Sequence, residues 1–189
     1  FVEFGAWDGK FLSNCYHLAA NRGWSGCFIE GNRDKYVELL QTHGTNPKVT
    51  CVNSFVTLDG AGRLDAILES VGAPKEIGLL SIDIDGMDYF VWESIERFSP
   101  TVVVIEFNPT IANDVVFVQA KDFAVNQGSS LLAMITLGWE KGYELICATR
   151  WNAFFVKKAD YPAFNLSSNF IGRMYTPMMD GRIFHGFDS

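Results

Sequence analysis

The sequence predicts an α/β fold, a doubly wound and mostly parallel sheet with helices on both faces. Apolar runs of strand length alternate with longer segments of helical period, the pattern of strands joined by crossover helices. The β-branched run VVVI at residues 102–105 has the composition of a strand buried on both sides, which parallel sheets require. The length of 189 residues, 48% of them apolar and 20% charged, suits one soluble domain with a substantial core.

The elements follow in order. Phe1 to Gly5 is the first strand, and a turn through Ala6, Trp7, Asp8 and Gly9 leads into a helix from about Phe11 to Arg22, stopped by Gly23. Cys27 to Glu30 is the second strand, Arg33 to Thr42 the next helix, ended by Gly44, and Lys48 to Phe55 the third strand. A helix over Gly62 to Val71 precedes a strand from Ile77 to Asp83. Met87 to Phe98 returns as a helix that Pro100 is expected to break, and Thr101 to Phe107 is the central strand. A polar stretch from Ile111 to Gln127 leads to a helix over Ser130 to Lys141. YELICAT and NAFFVKK, separated by Arg150 and Trp151, then form a hairpin whose final strand lies antiparallel to the rest. Residues 1–158 are expected to form the domain. The aromatic, turn-rich residues 159–189 form a tail that packs on it or over the substrate site.

The chain opens directly on a strand, which implies upstream residues that cover it. The charge of -7 and pI near 4.9 argue against a surface that gathers nucleic acid or anionic lipid, and favour a small-molecule partner. The four cysteines form no CxxC pair and read as reduced structural thiols. No apolar run reaches membrane-spanning length and no signal peptide is evident, so a cytoplasmic enzyme is expected, with no membrane span.

Chemistry concentrates at two places. In FVEFGAWDG, Gly5 and Gly9 suit a turn where backbone bends tightly and approaches a ligand, and Ala6 is small for the same reason. Glu30 closes the second strand about 20 residues later, where such folds place a carboxylate on ribose hydroxyls. Trp7 stands in place of the central glycine of a dinucleotide fingerprint, and Glu3 and Asp8 put two carboxylates at the turn. A pyrophosphate needs bare helix-start amides and no nearby anion. S-adenosylmethionine, with an ammonium, a sulfonium and no phosphate, fits that charge better. The plainer reading is that Glu3 and Asp8 only cap the turn.

The second place is LLSIDIDGMDYF, which brings Asp83, Asp85 and Asp88 around Gly86. Carboxylates this close raise one another's pKa unless a cation or amides compensate. IEFNP ends the next strand with Glu106 and Asn108. Asp83, Asp85 and Glu106 are therefore the candidate catalytic groups. Asp83, or Asp85, with Glu106 and Asn108 forms an oxygen set that suits Mg²⁺, which would lower the pKa of an acceptor hydroxyl. In the metal-free alternative, Asp88 caps the following helix, Asp83 accepts amides and Glu106 pairs with a base. Of the histidines, His17 and His43 read as solvated or packed, and His185 belongs to the tail segment RIFHGF, for which packing on the domain and folding over the substrate site both stay open. Trp7 is expected to wall the ligand pocket or to cover the first helix.

With VEFGAWDG, FIEGN, IDIDGMD, VVVIEFNP and GYELICATRWNAFFV in this order, the sequence resembles the FkbM-like methyltransferases, a branch of the class I S-adenosylmethionine-dependent enzymes. The resemblance implies a seven-stranded sheet and methylation of a hydroxyl on a sugar, glycolipid or natural product. By matching position it implies that Glu3, Gly5, Ala6 and Gly9 line the methionine end of the cofactor, Glu30 and Gly31 the ribose, and Asn53 with Ser54 the adenine edge, with Asp83 nearby. The acceptor is then a small molecule or glycan. A nicotinamide-dependent oxidoreductase and a non-catalytic ligand-binding member of the fold are the rival readings.

Overall fold

The computed structural model describes residues 1–178 and contains a seven-stranded sheet of order β3-β2-β1-β4-β5-β7-β6, in which β1 is Val2–Phe4, β2 Gly26–Glu30, β3 Val49–Asn53, β4 Glu76–Ile82, β5 Ser99–Glu106, β6 Tyr143–Ala148 and β7 Asn152–Lys157. β1, β2, β3 and β4 pair in parallel, and β7 runs antiparallel to both β5 and β6. The helices are α1 (Tyr16–Asn21), α2 (Arg33–His43), α3 (Leu64–Ser70), α4 (Asp88–Ser94), α5 (Leu131–Glu140) and α6 (Ile171–Met174). The α/β architecture with an antiparallel final strand is the expected one. His185 lies outside the described residues.

The chain divides into two compact units, one of residues 1–83 and 94–101, the other of residues 84–93 and 102 onward. In the first, β1 sits between β2 and β4, so chain order reverses there and leaves a crevice beyond the carboxyl ends, the usual ligand position in open α/β sheets. Strand register sorts the side chains. Phe28 joins Ala19 of α1 and Leu39 of α2 in one apolar cluster with Phe1, Ala6 and Cys15. Glu3, opposite Phe28 in the pairing, shares that face. The alternate residues Val2, Phe4, Ile29, Leu80 and Ile82 are buried on the other.

The second unit is built around β7. Trp92 of α4 meets Phe155 at a ring-centroid distance of 4.9 Å and Tyr143 at 5.8 Å. A side chain at Gly138 of α5 would strike both Trp92 and Phe155, so the glycine lets this helix close on the aromatic layer. Residues 107–130 carry no regular element, yet they are internally fastened. Ser130 caps α5, its hydroxyl accepting the Ala133 amide. Tyr175 closes on the same region through its ring against Phe107 and its hydroxyl on the Pro109 carbonyl.

Two expected boundaries fail for physical reasons. Pro100 does not precede the central strand but lies inside β5, at its second residue, where a missing amide costs little. The first helix starts at Tyr16 rather than near Phe11, because the intervening backbone turns through positive φ at Trp7 (48°), Gly9 (68°) and Leu12 (56°).

Candidate functional site

The loop after β1 is organised by two buried carboxylates. Glu3 is 4% exposed, and its oxygens accept the Ser13 hydroxyl at 2.6 Å and the amides of Asn14 and Cys15 at 2.9 and 3.2 Å. The Ser13 hydroxyl in turn accepts the amide of Tyr16 at the start of α1. Burial pushes the Glu3 carboxyl pKa up, and the hydroxyl and amides pull back against it. Asp8 accepts the amides of Lys10 and Phe11, as the capping reading expects. Asn14 fastens the loop to β4 by donating to the Ser81 hydroxyl at 3.0 Å.

Glu30, 6% exposed at the end of β2, accepts the amides of Trp7 and Asn32, each at 2.7 Å. It holds the loop after β1 against the loop after β2. Ala6 is buried and donates its amide to the Ile29 carbonyl, so the turn continues beside β2. Gly5, at φ 71°, gives the turn its first left-handed step. The Trp7 indole is held by α2. Its Nε1 donates to Glu38, and the Lys35 ammonium sits 4.2 Å from its ring centre, so it lies along α2.

At the end of β3, the Asn53 side-chain amide donates to the carbonyls of Glu30 and Gly31, and the Ser54 backbone amide donates to the Glu30 carbonyl. A Cβ on Gly31 would meet the Phe55 ring, so the ring lies directly on this backbone. Phe55 is 70% exposed, one side of its ring resting over Gly31. Sequence reasoning missed this residue. The available signal was an aromatic placed directly after the Asn-Ser pair.

In the second unit, Asp85 adopts φ 58°, a left-handed conformation that Asp tolerates better than most residues. Its carboxylate lies within 4.8 Å of that of Glu106. Asp88 is fully buried and accepts the amides of Ile84 and Gly86, bracing this turn rather than pointing outward. Burial pushes its pKa up to about 6, opposed by those amides. Asn108 is turned into its own segment. Its oxygen accepts both the amide and the hydroxyl of Thr110, and its nitrogen donates to Gln127. Asp83 follows β4 at the end of the first unit.

Gln119 was also invisible in the sequence. It is buried, donates to the Val125 carbonyl and accepts the amides of Gln127 and Gly128. A Cβ on Gly86 would strike Gln119 and the Val125 carbonyl, which shows how closely this segment lies on the Asp85 turn.

The methyltransferase FkbM domain model matches residues 61–145, a span that contains Asp83, Asp85, Glu106 and Asn108 and begins after the loop of Glu3 and Glu30. This part of the chain is similar to the FkbM methyltransferase domain. No curated protein matches it. Among solved structures, the inferred methyltransferase yhhF of Escherichia coli aligns over 82% of this chain and 76% of its own, with 13% identity and a TM-score of 0.45. Among the described residues, no helix is long and apolar enough to cross a membrane.

Proposed function

We propose that the chain binds S-adenosylmethionine at the carboxyl ends of β1, β2 and β3 and transfers its methyl group to a hydroxyl oxygen of a small-molecule or glycan acceptor. The carrying observation is the occupancy of the amides ahead of α1. Those of Asn14 and Cys15 already meet the Glu3 carboxylate, and that of Tyr16 meets Ser13, so the place where a nicotinamide dinucleotide would seat its pyrophosphate holds an anion of the protein's own. A ligand with a cationic end and no phosphate fits this loop.

Gly5, Ala6 and Gly9 shape the loop that would meet the methionine portion, Gly5 on its exposed side and Ala6 and Gly9 packed beneath it. Glu30 is placed for the ribose hydroxyls, and Asn53, Ser54 and the open face of Phe55 for the adenine. When bound, the cofactor supplies an electrophilic methyl carbon on sulfonium. The chain's own part is to aim the acceptor oxygen at it and to take up the acceptor's proton. We assign the proton to Asp83 or Asp85, and to Glu106 the orientation of the hydroxyl. Asp85 and Glu106 are also oxygen donors of the kind Mg²⁺ accepts, whereas the Asn108 oxygen is committed to Thr110. A sugar, glycolipid or natural-product acceptor and a cytoplasmic setting go with this reading, the latter in keeping with four free cysteines.

The test is calorimetric titration with S-adenosylhomocysteine, alone and against NAD. Binding of the first only is expected, and Glu30→Ala should weaken it at least tenfold. Binding of NAD alone by folded protein would move the chain to the oxidoreductases.

A further inference from the structure

The turn residue Gly9 rests on the last turn of α2. Its φ of 68° turns the chain toward that helix, and a Cβ placed on it would fall 2.6 Å from both His43 Cδ2 and Leu39 Cδ1. The His43 ring is 3% exposed and stacks on Phe28, with centroids 4.6 Å apart and planes 26° from parallel. Tyr16 of α1 meets the same ring edge-on at 6.0 Å. Inside this cage one polar contact is directed at the loop, from His43 Nε2 to the Gly9 carbonyl at 2.9 Å. A carbonyl oxygen only accepts, so Nε2 carries the proton and donates. An imidazole carrying a proton on Nε2 does this whether or not Nδ1 is also protonated.

From this geometry we infer that His43 is a positioning residue for cofactor binding, setting the backbone of the loop after β1 through the Gly9 carbonyl. The inference rests on the S-adenosylmethionine reading of that loop. A purely space-filling aromatic at this position would satisfy Phe28 and Tyr16 but leave a buried carbonyl without its donor, and the turn free to rotate. Trp7, anchored on Lys35 and Glu38, ties the near side of the turn to α2. His43 ties the far side.

The two halves of the His43 environment can be separated. His43→Phe keeps a ring on Phe28 and removes the donor, whereas His43→Gln loses the ring and keeps a nitrogen donor near the Nε2 position. Amide hydrogen exchange at Gly9, Lys10 and Phe11 in the unliganded protein is expected to quicken roughly 5- to 10-fold in His43→Phe, the scale of one lost hydrogen bond, and to stay within about threefold of wild type in His43→Gln. S-adenosylhomocysteine affinity should fall in parallel, with KM for S-adenosylmethionine rising and kcat nearly unchanged. If His43→Phe does not fold, His43→Asn, whose shorter side chain cannot reach Gly9, takes its place. Equal exchange and equal affinity in a folded donor-less variant would overturn the inference. Failure of the wild type to bind S-adenosylhomocysteine would instead overturn the cofactor reading, and the exchange data would still report whether His43 holds the loop.

Discussion

The two carboxylate-bearing turns handle buried charge in opposite ways. After β1, both acids are buried and hydrogen-bonded to their own loops: Glu3 by Ser13, Asn14 and Cys15, Glu30 by Trp7 and Asn32. In the turn before α4, one acid is enclosed while another lies beside a like charge: Asp88 braces the backbone, and Asp85 keeps its carboxylate within 4.8 Å of Glu106. The first arrangement spends carboxylates to fix a shape. The second uses one buried carboxylate to hold the turn that carries another.

The contrast is broken most strongly at Asp88. Its folded pKa of about 6 lies above the 3.8 of an ordinary Asp, so the native state binds more protons between those values. The stability this group contributes is complete below about pH 4 and is lost as pH rises through 6. Asp88→Asn should remove that slope, and urea unfolding across pH 3.5–7 should show the difference between the two proteins changing by about 3 kcal/mol. Asp85→Asn should lower turnover about a hundredfold, near 2.7 kcal/mol, while leaving S-adenosylhomocysteine affinity within twofold in calorimetry. Glu3→Ala strands one hydroxyl and two amides in a buried site, and should cost about 2 kcal/mol in chemical denaturation. The smallest effect is expected from chelation. With Asn108 committed to Thr110, EDTA should change turnover less than twofold, and a large loss reversed by Mg²⁺ would sharpen the pairing of Asp85 and Glu106 into a metal site.

The order of strands and helices was legible because each answers to local periodicity, and the β6–β7 hairpin because two apolar runs meet at a short polar link. The start of α1 was not. It depends on Glu3 recruiting Ser13 and Asn14 across a turn in which Trp7 and Leu12 take left-handed conformations that their side chains do not advertise. The carboxylates of both turns could be nominated from residue type and strand ends alone. Their partners could not, since Glu3 and Glu30 meet backbone amides, which every residue carries. His43 read as an ordinary helix-end histidine because its significance lies in a carbonyl 34 positions away in sequence. Pro100 misled for a related reason: proline marks a boundary only where its missing amide would have been needed.

The Gln119 side chain has a consequence for how this chain could change. One amide, buried and bonded to Val125, Gln127 and Gly128, fastens a segment with no helix or strand to set its path. Val116 and Phe123, on the same segment, are exposed and contribute little to that fastening. Such a segment can accept new side chains at its surface while its course stays the same. Substitutions at residues 115, 116 and 123 with Gln119 retained are therefore expected to leave the course of the segment intact, whereas Gln119→Ala should loosen it.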